Sequence, residues 1–339
     1  MSVFANATGV GSWPGSSARG AAEVVVGELH QLPHLVELPG RGVGADLIGR
    51  AGALLVDIAI DTVPRGYRIA SGRRSVTRRA ASLLGEDIDA LEEAWEAGGL
   101  RGGERAVKVQ VPGPVTLAAH LELPGGHRAI TDFGAVRDLT TSLAEGVSAL
   151  RAQLMRRLET AVVVQLDEPT LPAALEGRLA GVTSLSPVHP LAEAVITELF
   201  DECVAVVGGD VAVHCCAPGL PWKLLQRSLI AAVSVDLHTL TAADLDGVGE
   251  FVESGRTVLL GAVPSNPPAG SGAAPSAAQI AAAVAGVTDR LGFGRPVLRD
   301  RIGVTPACGL AGATPAWART AIELAQQAAD AFSADHGVI

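Results

Sequence analysis

The feature that most constrains the fold is a repeated alternation of short apolar runs with longer segments rich in Ala and Leu. The short runs have the length and β-branched content of buried strands, and the longer segments repeat apolar residues as amphipathic helices do. Alternating strands and helices form parallel sheets, and eight such units close into a barrel. The predicted strands are Thr8–Val10, His34–Glu37, Val107–Val111, Ala161–Leu166, Val211–His214, Val233–Leu237, Thr257–Ala262 and Ile302–Pro306.

The segments between these strands carry helix signals. Apolar residues recur at spacings of three and four, and a polar N-cap or an early proline marks several starts. Asp132 is the expected N-cap of the longest helix. The predicted helices are Ile130–Leu158, Leu191–Val207, Ala277–Leu291 and Pro315–Phe332.

Two segments interrupt this rhythm. Arg41–Leu100 is too long for a plain crossover, and Pro264–Pro275 has the composition of a loop, either a lid or a solvated connection. We therefore predict an α/β fold in which residues 1–339 form a single (β/α)8 TIM barrel domain with an excursion after strand 2. A doubly wound open sheet is the alternative, but Pro14 interrupts the Gly9–Gly15 stretch where its phosphate loop would lie.

Composition excludes several classes of protein. The 339 residues carry a formal net charge of −10, which argues against a nucleic-acid partner. No apolar run is long enough to predict a membrane span, and the first residues do not form a signal peptide. The four cysteines are Cys203, Cys215, Cys216 and Cys308, and the adjacent pair suits a disulfide framework badly. Reduced thiols and a cytoplasmic location are expected.

A histidine and a cysteine at the end of the fifth predicted strand are the strongest chemical signal. Side chains alternate along a strand, so His214 and Cys216 can point to the same side while Cys215 points away. Cys308 follows the last strand, and the carboxyl ends of all barrel strands converge on one face. Imidazole and thiolates suit zinc. Asp236 is the candidate fourth ligand, and His238 competes with it.

The chemistry of such a site favours thiol activation. A donor set rich in thiolate is poorly suited to acidifying a water molecule, but it suits an incoming substrate thiol, which must ionise before it becomes a nucleophile. Transfer of a methyl or alkyl group to that sulfur is the predicted reaction class.

Acidic and hydroxyl groups at other strand ends are candidates for substrate binding. Asp167 and Glu168 end the fourth predicted strand and can hold an ammonium group, although capping of a helix is the structural alternative. Ser12 follows the first strand and can bind a carboxylate. Asp167 and His214 are the candidate catalytic side chains.

Taken in order, these motifs resemble the catalytic barrel of cobalamin-independent methionine synthase. The resemblance runs from Thr8 to about Phe332, nearly the whole chain. The matching stretches are Gly9–Pro14 (GVGSWP), Pro112–Thr116 (PGPVT), Gln165–Pro169 (QLDEP), His214–Cys216 (HCC), Ser234–Asp236 (SVD) and Thr305–Leu310 (TPACGL).

The resemblance implies roles for individual residues. His214, Cys216 and Cys308 match the family's zinc ligands, and Asp236 stands where the family has a glutamate, one methylene longer. Ser12 and Asp167 match residues that hold the amino and carboxyl groups of homocysteine. Glu37 is a looser match to a glutamate with the same role.

The resemblance also implies a single-barrel form of the enzyme, with a methylated corrinoid carried by a partner protein, or methyl-folate, as the methyl donor. Two other readings remain open. One is zinc-dependent alkyl transfer to another thiol such as coenzyme M, and the other is a metal-free enzyme like uroporphyrinogen decarboxylase.

Overall fold

The computed structural model describes residues 1–72, 75–183, 187–268 and 273–333. Part of the predicted loop Pro264–Pro275, residues 269–272, lies outside the described residues, and its described ends contain no helix or strand. None of the described helices is both long and apolar enough to cross a membrane.

Six parallel strands form the main sheet, and each is hydrogen-bonded to the next strand of the sheet along the chain. Their interiors are buried on both faces, as expected when helices cover the outside of a parallel sheet. The bounds agree with six of the eight predicted strands to within one residue at every end. The six strands are β3 (Ala106–Pro112), β5 (Ala161–Asp167), β6 (Val211–Cys215), β7 (Ala232–Asp236), β8 (Thr257–Val263) and β9 (Ile302–Pro306).

Two extended segments close the sheet into a ring in place of the first two predicted strands. Residues 7–12 pair with β9 through a parallel bridge between Ala7 and Val304, and with residues 34–37 through one between Ser12 and Glu37. Residues 34–37 pair in turn with β3 through His34 and Lys108. The predicted barrel is therefore confirmed. Two of its eight positions are occupied by extended segments that pair through isolated bridges and not by full strands.

The alternation of side chains separates two apolar clusters. Seven buried residues from the barrel wall and the adjoining segments, including Ala106, Val163, Ala212 and Leu259, form an inner plug. The intervening strand residues, such as Val107 and Val213, belong to the large cluster shared with the helices. Polar inward positions follow the plug along the strands, which places chemically active side chains toward the carboxyl ends.

The helices cover the barrel. Asp132 is the N-cap of the longest one, as predicted, and its Oδ1 accepts a hydrogen bond from the backbone N–H of Ala135 at 3.0 Å. The helices are α1 (Ala18–Glu28), α2 (Leu47–Ala51), α3 (Ser75–Ala97), α4 (Pro114–His120), α5 (Phe133–Leu158), α6 (Leu171–Leu175), α7 (Glu193–Val207), α8 (Trp222–Arg227), α9 (Ala242–Glu253), α10 (Ala277–Arg290), α11 (Arg295–Arg301) and α12 (Pro315–Ser333).

The predicted excursion after the second barrel position contains α2, an antiparallel hairpin and α3. The hairpin strands are β1 (Ala59–Val63) and β2 (Gly66–Ala70), and β2 also pairs with the short strand β4 (Leu121–Glu122). The excursion packs closely on α5, where a Cβ atom built at Gly146 would lie 1.7 Å from the carbonyl oxygen of Leu54.

This contact gives a prediction about stability. In an open part of a helix, Gly→Ala stabilises by roughly 0.5–1 kcal/mol, and Gly85 in α3 has such an open position. We expect Gly85→Ala to raise the free energy of unfolding by about that amount and Gly146→Ala to lower it, because the added methyl group displaces the Leu54 backbone. Chemical denaturation of both variants measures the difference. Equal stabilisation by both changes would contradict the close packing.

Candidate active site

Three side chains that can bind a metal meet at the carboxyl ends of the strands. Ligand atoms of His214, Cys216 and Cys308 all lie within 4.8 Å of one another. His214 lies in β6, Cys216 follows that strand directly, and Cys308 follows β9. The barrel thus brings together residues about ninety positions apart in the sequence, as the predicted topology requires.

The two sulfur atoms share a proton. Cys308 Sγ and Cys216 Sγ are 3.1 Å apart. This hydrogen bond lowers the pKa of Cys308 to about 4 and raises that of Cys216. The backbone N–H of Cys308 donates to Ser265 Oγ at 2.8 Å, which fixes the turn that carries the thiol.

Cys215 lies outside this group. It is buried in the apolar cluster shared with the helices, and its Sγ is 3.8 Å from the carbonyl oxygen of Ala217. Burial raises its pKa to about 12, so it is a protonated core residue at neutral pH. This is the orientation that strand alternation predicts.

The histidine is oriented by its neighbour on the next strand. His214 Nδ1 is 3.0 Å from Ser234 Oγ, and the two residues are register partners in β6 and β7. His214 is 2 % exposed, and its Nε2 has no hydrogen-bond partner among the described residues. A buried imidazole nitrogen without a partner, beside two thiols, fits a zinc ion, since zinc prefers nitrogen and sulfur ligands.

Asp236 is not within this group. It ends β7 and begins a short 3-10 turn, where its Oδ1 accepts from the backbone N–H of His238 at 2.9 Å and lies 3.2 Å from His238 Nδ1. The two candidates for a fourth ligand therefore contact each other, and neither joins the three donors.

A cavity of about 280 Å³ opens over the three donors. This is near the lower end of the size of small-molecule sites. Larger clefts of about 560 to 700 Å³ lie elsewhere, but no cysteine lines them. The residues lining the 280 Å³ cavity are Val10, Ser12, Glu37, Pro39, Leu47, Asp167, Pro169, His214, Cys216, Cys308, Gly309, Ala311 and Gly312.

Ser12 joins three of the predicted motifs at this cavity. It forms the bridge to Glu37, and its carbonyl oxygen accepts from the backbone N–H of Leu310 at 2.9 Å. A Cβ atom at Gly309 would lie only 2.1 Å from Ser12 Oγ, so a larger residue beside Cys308 would displace the serine hydroxyl from this position. The serine hydroxyl is thereby held next to the cysteine turn.

Two buried carboxylates face the same cavity. Glu37 is 3 % exposed and its Oε1 has no hydrogen-bond partner among the described residues. Asp167 accepts one hydrogen bond, from Gln165 Nε2 to Oδ1 at 2.6 Å. Burial raises the pKa of both groups, that of Asp167 to about 7. Two buried acids with free acceptor capacity fit a cationic group of a ligand.

Glu168 differs from the substrate-binding role predicted from the sequence. It is fully buried, and its oxygens accept from the backbone N–H groups of Val115 and Thr116 at 2.9 and 2.8 Å and from Thr116 Oγ1 at 2.6 Å. A Cβ atom at Gly113 would lie 2.2 Å from its Oε1. The side chain anchors the first turn of α4 and does not line the cavity.

This arrangement predicts a structural effect for Glu168→Gln. The substitution replaces one of the two acceptor oxygens with an NH2 group, a donor that would face the N–H and O–H donors of Val115 and Thr116, so we expect the free energy of unfolding to fall by about 1–3 kcal/mol. Chemical denaturation measures this loss, and the binding of small thiols by the folded variant should be unchanged. A variant of normal stability that had lost thiol binding would instead support a substrate contact.

Four polar residues that support the site were given no role from the sequence, although Gln165 and Ser234 stand in two of the quoted motifs. Ser234 orients His214, Ser265 holds Cys308, and Gln165 contacts Asp167 while it accepts a hydrogen bond from the buried Lys108. Ser234 had one available signal, because a serine two residues before Asp236 on the strand beside His214 faces the same side of the sheet.

Residues 4–331 match the protein family described as cobalamin-independent synthase, catalytic domain. A search of the curated proteins found no match.

Several solved structures share the fold. A B12-independent methionine synthase from a Shewanella species, solved in complex with selenomethionine, has a TM-score of 0.59 at 13% identity and covers 97% of this chain and 98% of its own. A putative vitamin-B12-independent methionine synthase from Listeria monocytogenes has a TM-score of 0.54 at 13% identity and covers 93% and 85%. A methyltransferase from Methanosarcina mazei has a TM-score of 0.56 at 13% identity and covers 97% and 94%.

The chain belongs to the cobalamin-independent synthase catalytic-domain family, because the match spans nearly its whole length. It is therefore a methyltransferase, as the order of motifs predicted.

Proposed function

We propose that this methyltransferase transfers a methyl group to the thiol of L-homocysteine and so forms methionine, in the 280 Å³ cavity at the carboxyl ends of the strands. The observation that carries the proposal is the composition of that cavity. A donor set suited to a thiol-activating metal and a pair of buried acids suited to an ammonium group line the same small space.

His214, Cys216 and Cys308 would hold a zinc ion. The free Nε2 of His214 and the two sulfurs 3.1 Å apart support this assignment. When bound, zinc lowers the pKa of a substrate thiol so that it attacks as the thiolate. These three residues supply three ligands. Asp236 is the proposed fourth ligand, and its carboxylate would have to give up its contact with His238 to bind the metal. Reduced cysteines at these positions suit a cytoplasmic enzyme.

The amino-acid part of homocysteine would be held by the other cavity residues. Glu37 and Asp167 would accept hydrogen bonds from its ammonium group, since both have unused acceptor capacity. The hydroxyl of Ser12 would donate to its carboxylate. Asp167 and His214 are register partners on β5 and β6, so the group that orients the substrate and the group that helps to hold the metal are fixed to one rigid framework.

Positioning supplies much of the rate in such a reaction. A methyl carbon and an attacking sulfur must lie in line and in contact, and a substrate held at both ends loses little freedom on reaching that arrangement. Side chains on strands are held more rigidly than side chains on loops. His214 and Asp167, which would hold the metal and the substrate, both lie on strands.

The lining favours a methylated corrinoid over methyl-folate as the donor. Its described residues include no phenylalanine, tyrosine or tryptophan and no lysine or arginine. A pterin ring with an anionic glutamate tail would require stacking and cationic partners. A donor presented by a partner protein needs only access to the mouth of the cavity.

The other two readings are less well supported by the cavity. The sulfonate of coenzyme M would be repelled by Glu37 and Asp167. A metal-free decarboxylase would have no use for two thiols and an unpartnered imidazole nitrogen grouped within 4.8 Å.

Adjacent cysteines provide a matched test of the metal assignment. We expect Cys216→Ser and Cys308→Ser to lower the zinc content from about one per chain to a small fraction, because each removes a thiolate ligand. Cys215→Ser should retain about one zinc, because that side chain lies in the outer apolar cluster. Elemental analysis of the purified proteins measures the ratio. Loss of zinc only in the Cys215 variant would contradict the assignment.

Homocysteine provides the test of the reaction. We expect X-ray absorption at the zinc edge to show about one additional sulfur atom bound to zinc when L-homocysteine is added. L-Methionine should form when a methylcorrinoid is then supplied. If the atoms bound to zinc do not change when homocysteine is added, the substrate is a different thiol. A purified protein without zinc would contradict the proposed chemistry.

A further inference from the structure

A fully buried lysine lies beneath the cavity. Lys108 belongs to β3 and is one of two lysines in the chain, the other being the exposed Lys223. Its Nζ donates to the carbonyl oxygen of Val10 at 3.0 Å and to Gln165 Oε1 at 2.8 Å. Buried lysines are rare, because the charged form is poorly solvated, so such a residue requires a compensating arrangement.

The lysine determines which way the Gln165 amide points. Because Gln165 Oε1 accepts from Lys108, the amide nitrogen is left to donate to Asp167 Oδ1 at 2.6 Å and to Val10 O at 2.9 Å, the same carbonyl oxygen that Lys108 contacts. An amide can be turned over with little change of shape, and Lys108 removes that freedom. The hydrogen bond to Asp167 occupies Oδ1 and leaves Oδ2 available.

The charge of Lys108 acts on the same carboxylates. Burial lowers its pKa to about 8, while the negative charges of Asp167 and Glu37 act in the opposite direction. The positive charge of Arg50, which is paired with Asp87, acts on Glu37 in the same direction as the charge of Lys108. Lys108 is thus the buried cation that faces both acids from inside the barrel and that makes no contact with the metal donors.

We propose that Lys108 is a positioning residue for the substrate ammonium group, acting through Gln165 on Asp167 and by its charge on Asp167 and Glu37. This rests on the proposed function, since it assigns the two acids to the amino group of homocysteine. Lys108 itself touches neither substrate nor metal. Its effect is confined to how strongly the cavity distinguishes a thiol that carries an α-ammonium group from one that lacks it.

The test compares two ligands that differ only in that group. Calorimetry of the zinc-loaded protein gives the dissociation constants of L-homocysteine and of 4-sulfanylbutanoate, its analogue without the amino group. In the unmodified protein homocysteine should bind more tightly. We expect Lys108→Met to weaken homocysteine binding by about tenfold and to change binding of the analogue by less than about twofold.

Two further variants keep the test decisive. Lys223→Met removes the only other lysine, at an exposed position of α8, and should leave both dissociation constants unchanged. Gln165→Met removes the link to Asp167 while it leaves the lysine in place, so it replaces Lys108→Met if that variant does not fold. The double variant should be no worse than the poorer single one, because both substitutions break the same chain of contacts.

The outcomes separate the two proposals. If the unmodified protein prefers homocysteine, and Lys108→Met and Gln165→Met both keep that preference within about twofold, the role of Lys108 is overturned and the proposed function stands. If the unmodified protein shows no preference, the assignment of the acids fails, and the proposed substrate and the role of Lys108 fail with it. Equal weakening of both ligands would reduce Lys108 to a structural residue.

Discussion

The parallel register of β5, β6 and β7 is the constraint on which the site depends. Asp167 pairs with His214, and His214 pairs with Ser234, so three polar side chains stand at one level of the barrel wall. Backbone hydrogen bonds fix this level, and a slip of one residue would turn each side chain to the opposite face. The geometry of the candidate site is thus specified first by strand pairing and only then by side-chain contacts.

Local periodicity was enough to predict six strands, the principal helices and the common orientation of His214 and Cys216, because these depend on alternation within one segment. The first two barrel positions were harder to delimit, since residues 7–12 and 34–37 pair through isolated bridges. The convergence of Cys308 on the histidine followed from barrel topology.

Other features depend on contacts that no single segment contains. Glu168 is buried because Gly113 leaves room for its carboxylate against α4. Lys108 could be counted in the sequence, but its partners lie 57 and 98 positions away. Such polar networks are the part of a buried site that sequence patterns describe least well.

The barrel closes where residues 7–12 meet β9, and this closure determines when the site can form during synthesis of the chain. Residues 7–12 are the first barrel segment to leave the ribosome, and their partner β9 is the last. Cys308 follows β9, so a nascent chain carries an open edge and an incomplete set of the three donors until β9 and Cys308 have been synthesised. Contacts of such long sequence separation form slowly. Closure of the barrel therefore completes the group of three donors, and a chain that stalled before β9 would present His214 and Cys216 without Cys308.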